Sequence, residues 1–219
     1  MPWEAAFNLL ALAVALGLRP WRMLQSRTLR TPEGPQCQAS PLLTPLLAVL
    51  VLLPWMWALP TLTAMPLQLQ WSGACLVVLM LGWPLAIPVL CAVAALAWAF
   101  SPTLGTEAAI SALTWQGVVP ATLALGLGAL VRRFTGERPF VYVLGRAFLG
   151  TVLCLFLSGV LAQWAGHLLP SVEQDLSLVA RWLMAWGDGF VTGMLAAIFV
   201  AFKPQWLATW SDVLYLKKP

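Results

Sequence analysis

The segment that decides the fold is Gly-Asp-Gly-Phe-Val-Thr-Gly-Met at positions 187–194, which opens an apolar run continuing to Phe202. A carboxylate near the bilayer centre costs about 2.5–3.5 kcal/mol on insertion scales, so Asp188 is expected to face protein or a water-filled cavity. Gly189 and Gly193 form a G-x-x-x-G ridge, which lets a second helix approach closely. The segment therefore predicts a packed transmembrane helix, in which Asp188 either pairs internally or belongs to a transport or binding cavity.

The composition places the whole chain in a membrane. Hydrophobic residues make up 61% and charged residues 9%, against roughly 45–50% and about 25% in soluble domains. This predicts an all-α, polytopic integral membrane protein, with residues 1–219 as a single transmembrane domain in contact with the lipid bilayer. The net charge is +4. The basic residues lie between the apolar runs, where they determine the orientation of the protein in the membrane, so no nucleic-acid partner is expected.

The basic residues decide the predicted number of spans. The apolar run 67–100 is too long for one upright helix, and Gly82-Trp83-Pro84 at its midpoint predicts a break. With that break, the basic clusters near residues 19–30, 132–138 and 203–218 all fall on the cytoplasmic side. About seven transmembrane helices result, with the N-terminus outside and the C-terminus cytoplasmic. Their ranges are about 3–18, 41–59, 67–82, 85–100, 108–131, 139–165 and 177–202.

Few residues carry chemistry. No metalloprotease, nucleophile-elbow or P-loop motif is present, so the chain is not expected to be an enzyme or to hydrolyse ATP. The single histidine, His167, is interpreted as a solvated loop side chain, and the cysteines as small buried residues, with no metal or cofactor expected. Tryptophans near the span ends, Trp71 among them, are interpreted as an interfacial belt.

Some polar residues fall at membrane depth. Gln68, Gln70 and Asp188 are the candidate substrate-binding residues, and Gly189 and Gly193 the candidate helix-packing residues. Arg146 lies in the next-to-last span, roughly 10 Å above its inner end, and Asp188 about 21 Å above the inner end of the last. Arg146 therefore either stretches to pair with Asp188 or snorkels to the cytoplasmic interface.

The glycine-rich segment 187–194, followed by Phe202-Lys203-Pro204-Gln205-Trp206, resembles the end of the cobalt/nickel substrate-capture subunits of energy-coupling-factor transporters (the CbiM/NikM type). It resembles more closely a little-characterised proteobacterial branch of that superfamily, which has segments similar to 140–142 and 206–212. The resemblance covers the chain from about Leu67 onward. It implies a seven-helix permease subunit of the bacterial inner membrane, working in transition-metal uptake with a transmembrane coupling subunit and separate ATPases.

The residues depart from the metal site that this resemblance implies. Pro2 stands where the family has a histidine, and Gln68-Leu69-Gln70 where it has another. Pro2 has no N–H to deprotonate, and amide oxygens suit nickel or cobalt poorly. No family-type nickel or cobalt site is expected. Two functions therefore remain open, an uptake subunit and a non-transporting membrane scaffold or metalloprotein-assembly partner that has lost the site.

Overall fold

The computed structural model describes residues 2–25, 27–31, 34–38, 40–62, 71–101, 105–135, 138–167, 169 and 174–210. Within those residues the regular elements are helices and one antiparallel hairpin, β1 (Arg27–Thr31) with β2 (Gly34–Gln38). The hairpin lies between the first two helices. The helices are α1 (Pro2–Gly17), α2 (Leu43–Leu62), α3 (Ala74–Leu81), α4 (Trp83–Phe100), α5 (Thr106–Ala112), α6 (Val119–Thr135), α7 (Gly150–Trp164) and α8 (Gln174–Phe202).

Two π-helical segments join neighbouring helices without a break. Leu113–Val118 connects α5 to α6, and Val141–Leu149 leads into α7. Short 3₁₀ turns follow α1 at Pro20–Leu24 and α8 at Pro204–Trp206. Wider π turns change the direction in which side chains and carbonyls point, and they are frequent at functional sites.

The described residues contain five helices that are long and apolar enough to cross a membrane: 43–62, 83–100, 106–134, 141–164 and 176–202. Many large apolar side chains on these helices are exposed, such as Phe134, Trp164 and Phe202, as expected for surfaces that face lipid. Helix α1 is also apolar but has only 16 residues. These helices are those expected of a membrane protein, whereas the number of seven spans and the orientation of the termini remain predictions.

The third predicted span, over residues 67–82, is helical only in part. Residues 67–70 lie outside the described part of the chain, and α3 has 8 residues, all buried. At about 1.5 Å per residue such a helix is roughly 12 Å long, too short for a hydrocarbon core of about 30 Å. The predicted break is present, because α3 ends at Leu81, Gly82 adopts φ 76°, and Pro84 lies in the first turn of α4.

Contacts between distant residues define the two ends of the bundle. At one end, Ala208 N–H donates to Met80 O over 2.9 Å, and the Tyr142 and Thr209 hydroxyl oxygens lie 2.8 Å apart. We call this the basic end, because it also carries Arg19, Arg22, Arg132, Arg133, Arg138 and Lys203. At the other, the distal end, Thr61 Oγ1 lies 2.6 Å from Ser101 Oγ. Helices α2 and α4 therefore both end at the distal end.

Helix α8 packs on the helix formed by residues 141–164 through its glycines. A β-carbon added at Gly189 would lie 2.5 Å from Val152 Cγ2 and 3.2 Å from the Phe148 carbonyl oxygen. One added at Gly193 would lie 2.9 Å from Phe148 Cβ. Only hydrogen fits at either position, so the two glycines allow the closest approach of these helices.

Candidate functional site

Ser72, immediately before α3, joins three separate helices. Its backbone N–H donates to Asp188 Oδ2 on α8 over 2.8 Å, and its carbonyl accepts from Trp57 Nε1 on α2 over 3.0 Å. Its hydroxyl donates to Gln116 O over 2.5 Å. Ser72 is buried, so these bonds hold the start of α3 firmly between α2, α8 and the π-helical segment 113–118.

The sequence around Pro120 explains why Gln116 O accepts this bond. Proline has no backbone N–H, so a carbonyl one turn earlier loses its helical donor: Gln116 O in an α-helical turn and Trp115 O in a π-helical turn. The Ser72 hydroxyl donates to Gln116 O. The adjacent Trp115 O accepts in the same way from Ser158 Oγ of α7 over 2.6 Å. The π-helical segment is therefore tied to its neighbours by side-chain hydroxyls.

Asp188 is buried, with 4% of its surface exposed. Oδ2 accepts the Ser72 N–H, while Oδ1 has no hydrogen-bond partner within the described residues. The Trp71 indole, the Gly73 amide and the Thr192 hydroxyl also lie near the carboxylate. The Trp71 and Thr192 side chains nevertheless form no hydrogen bond in this arrangement. One carboxylate oxygen thus anchors α8 to the start of α3, and the other retains its capacity to accept.

Arg146 neither pairs with Asp188 nor extends toward the cytoplasmic interface, the two alternatives that the sequence left open. Its guanidinium packs against α6, where a β-carbon added at Gly128 would lie 2.8 Å from Nε, and it stacks over the Tyr142 ring at 5.7 Å. No ion pair joins Arg146 to Asp188 in the described part of the chain, since Asp188 accepts from Ser72 instead. Because a helix rises about 1.5 Å per residue, Arg146 and Gly128 lie at similar depths, and the side chain extends sideways rather than toward the interface.

His167 does not behave as the solvated loop residue that was expected. Its Nε2 lies 2.7 Å from Glu4 Oε1, an ion-pair distance for a protonated imidazole, and its Nδ1 lies 3.2 Å from Ser111 Oγ. Glu4 is fully buried and also accepts from Trp115 Nε1 over 2.8 Å. The start of α1 is thereby joined to the π-helical segment and to the end of α7.

Arg181 on α8 is a cation beside the His167 and Glu4 side chains. Its Nη2 donates to the His167 carbonyl over 2.6 Å, and its aliphatic stem lies against Gly159, where an added β-carbon would approach Cδ to 3.0 Å. Its Nε has no hydrogen-bond partner among the described residues. Asp188 follows seven residues later, so the two side chains occupy the same face of α8, about 10 Å apart along its axis.

These side chains surround one cavity of about 590 Å³ in the distal half of the bundle. Ser72, Gln116 and Asp188 line its deepest part, and the exposed Glu107 and Ala108 line its mouth. Pockets of about 300–1,000 Å³ are typical of small-molecule sites. The walls are formed by Trp57, Thr61, Ala97, Trp115, Gly159, Ala162, Arg181 and Met184 together with Glu4 and His167.

The structure places the sequence-predicted site residues as follows. Asp188 both bonds to Ser72 and lines the cavity, and Gln68 and Gln70 lie outside the described residues. Trp71 was assigned to the interfacial belt, but it lies deep beside Asp188. Ser72 and Glu4 were not recognised at all. Pro120 was the available signal for Ser72, because an internal proline predicts a carbonyl that needs another donor.

The described residues gather no group of three His, Cys, Asp or Glu side chains that would hold a metal ion. Pro2 begins α1, and the thiols of Cys75 and Cys154 are buried. Comparisons with protein-family models, curated proteins and solved structures found no match. The resemblance to energy-coupling-factor substrate-capture subunits therefore remains a prediction, and the cavity itself is the basis for assigning a function.

Proposed function

We propose that this chain is a permease or solute-capture subunit of the bacterial inner membrane, which takes a small polar solute into the cavity from the distal end. The observation that carries the proposal is a cavity of about 590 Å³ with a buried carboxylate in its deepest part. Ionisable groups inside membrane segments are costly and typically mark substrate pathways. Asp188 lines the cavity as well as bonding to Ser72, which favours a binding role beside its structural one.

The size of the cavity favours a molecule over a bare metal ion. A transition metal needs several ligands within about 2–2.3 Å, and the described residues provide no such cluster. The proposal therefore keeps the transport role implied by the resemblance and does not extend to nickel or cobalt. The sequence has no nucleotide-binding motif, so energy for uptake would come from separate ATPase subunits through a transmembrane coupling partner, as in energy-coupling-factor systems.

The orientation of the protein forms part of the proposal. The basic end carries the described arginine clusters and Lys203, which favours the cytoplasmic side for that end and the exterior for the mouth of the cavity. We expect a reporter fused after Arg138 to give a cytoplasmic signal. A reporter fused near Glu173 is expected to give an exterior signal. The same side for both fusions would contradict the orientation and the count of seven spans.

A cavity-filling variant tests the capture role directly. Ala112 lines the cavity and is half-buried, so Ala112→Phe would place a ring in empty space without displacing the core. Ala129 lies on the exposed face of α6 and does not line the cavity, so Ala129→Phe is the matched control. The measurement is mass spectrometry of small molecules retained by each protein after purification in mild detergent. We expect wild type and Ala129→Phe to retain a solute that Ala112→Phe loses.

The same experiment separates the two functions left open by the sequence. A scaffold that has lost its site would carry the same small molecules in all three proteins. That result, obtained with folded Ala112→Phe protein, would refute solute capture. It would leave the Ser72 and Asp188 contacts as purely structural.

A further inference from the structure

We infer that the solute held in the cavity is a small organic cation, with its ammonium group bound by Asp188 and the Trp57 and Trp115 rings. This inference rests on the proposed function and adds the chemical class of the substrate. Its first support is Asp188 itself, a buried carboxylate that lines the cavity. A buried carboxylate is costly unless a positive charge lies near it, and a bound ammonium group would supply that charge.

The charge of the cavity supports a cation. Its described lining carries three carboxylates, those of Glu4, Glu107 and Asp188, and one arginine, Arg181. The guanidinium of Arg181 is partly engaged, since Nη2 donates to the His167 carbonyl and the stem packs on Gly159. Even with a protonated His167 the lining is net negative. An anion would therefore meet repulsion at the deepest part of the cavity, where Asp188 lies.

The two tryptophans provide surfaces that suit an ammonium group. Both line the cavity, and both indole N–H groups are engaged, Trp57 with Ser72 O and Trp115 with Glu4 Oε1. Trp57 also abuts Gly117, where an added β-carbon would lie 3.2 Å from its ring. The Trp115 ring also contacts the Trp3 and His167 rings, with centroids 5.8 Å apart in each pair. Both indoles are thereby held in fixed orientations in the cavity wall, and indole is the best of the aromatic side chains for binding cations. Carboxylate and indole together select positive charge with an apolar covering, which describes an organic ammonium ion.

The test uses choline and its uncharged isostere 3,3-dimethylbutan-1-ol, titrated by calorimetry into the purified protein in nanodiscs. We expect choline to bind at least about tenfold more tightly than the isostere, because only choline gains electrostatic attraction to the carboxylate and to the indole rings. Asp188→Asn preserves volume and keeps an acceptor for the Ser72 N–H, and it is expected to remove this preference. Ala129→Phe, which lies outside the cavity, is the control and should retain the preference.

Three results would overturn the inference: no choline binding to wild type, equal binding of the isostere, or an unchanged preference in Asp188→Asn. None of these would by itself refute solute capture. If a solute is still retained by wild type and lost from Ala112→Phe, the protein captures a molecule of another class. If wild type, Ala112→Phe and Ala129→Phe also retain the same small molecules, both the substrate class and the proposed function are wrong.

Discussion

Replacing Gly189 with leucine is expected to prevent most of the protein from folding. A β-carbon alone would lie 2.5 Å from Val152 Cγ2 and 3.2 Å from a backbone oxygen of Phe148, and the backbone cannot move away as a flexible side chain can. Overpacking typically costs about 1–3 kcal/mol. We expect at least the upper part of that range here. The measurement is the yield of monodisperse protein extracted in mild detergent, together with its melting temperature.

Gly187→Leu on the same helix is the control. Gly187 is exposed and has no atom within 4 Å of an added β-carbon, so leucine there would face lipid at no steric cost. Both substitutions exchange glycine for the same side chain in α8, and they differ only in what the side chain meets. Equal yields and melting temperatures for the two variants would show that α8 does not pack on residues 148–152.

Gly82→Ala is expected to have the second largest effect, through the backbone. Gly82 joins α3 to α4 with φ 76° and ψ 154°, a region that is essentially restricted to glycine and costs a residue with a β-carbon about 1–3 kcal/mol. Since about 1 kcal/mol shifts the melting temperature of a protein of this size by roughly 2–4 °C, we expect a decrease of several degrees. The loss should appear in thermal unfolding of the purified protein in detergent.

Gly105→Ala is the matched control for this change. Gly105 precedes the first residue of α5 as Gly82 precedes the first residue of α4, but its φ is −62° and an added β-carbon would meet nothing within 4 Å. Any general cost of alanine at the start of a helix is therefore common to both variants. If Gly82→Ala melts at the same temperature as Gly105→Ala, the strained connection between α3 and α4 is not present.

Local features of the sequence predicted the helices well where the residues are described. The break after Leu81 follows from glycine and proline at positions 82 and 84, and the structure has it there. The sequence was less informative about residues 27–38, where the hairpin of β1 and β2 was not predicted. It also implied a full helix over 67–82, whereas the described helix is α3 alone. Apolar composition shows that a segment avoids water, but not how much of it is helical.

The sequence by itself determined that this is a helical membrane protein, since runs of apolar residues and the spacing of basic clusters are local properties of the chain. Only the tertiary structure decided that Asp188 bonds to Ser72 rather than Arg146 and that Glu4 meets His167. These partners are far apart in the chain, and their meeting depends on the rotation and depth of each helix. In a membrane the lipid-facing and core-facing sides are both apolar, so the hydrophobic pattern does not reveal which face of a helix turns inward.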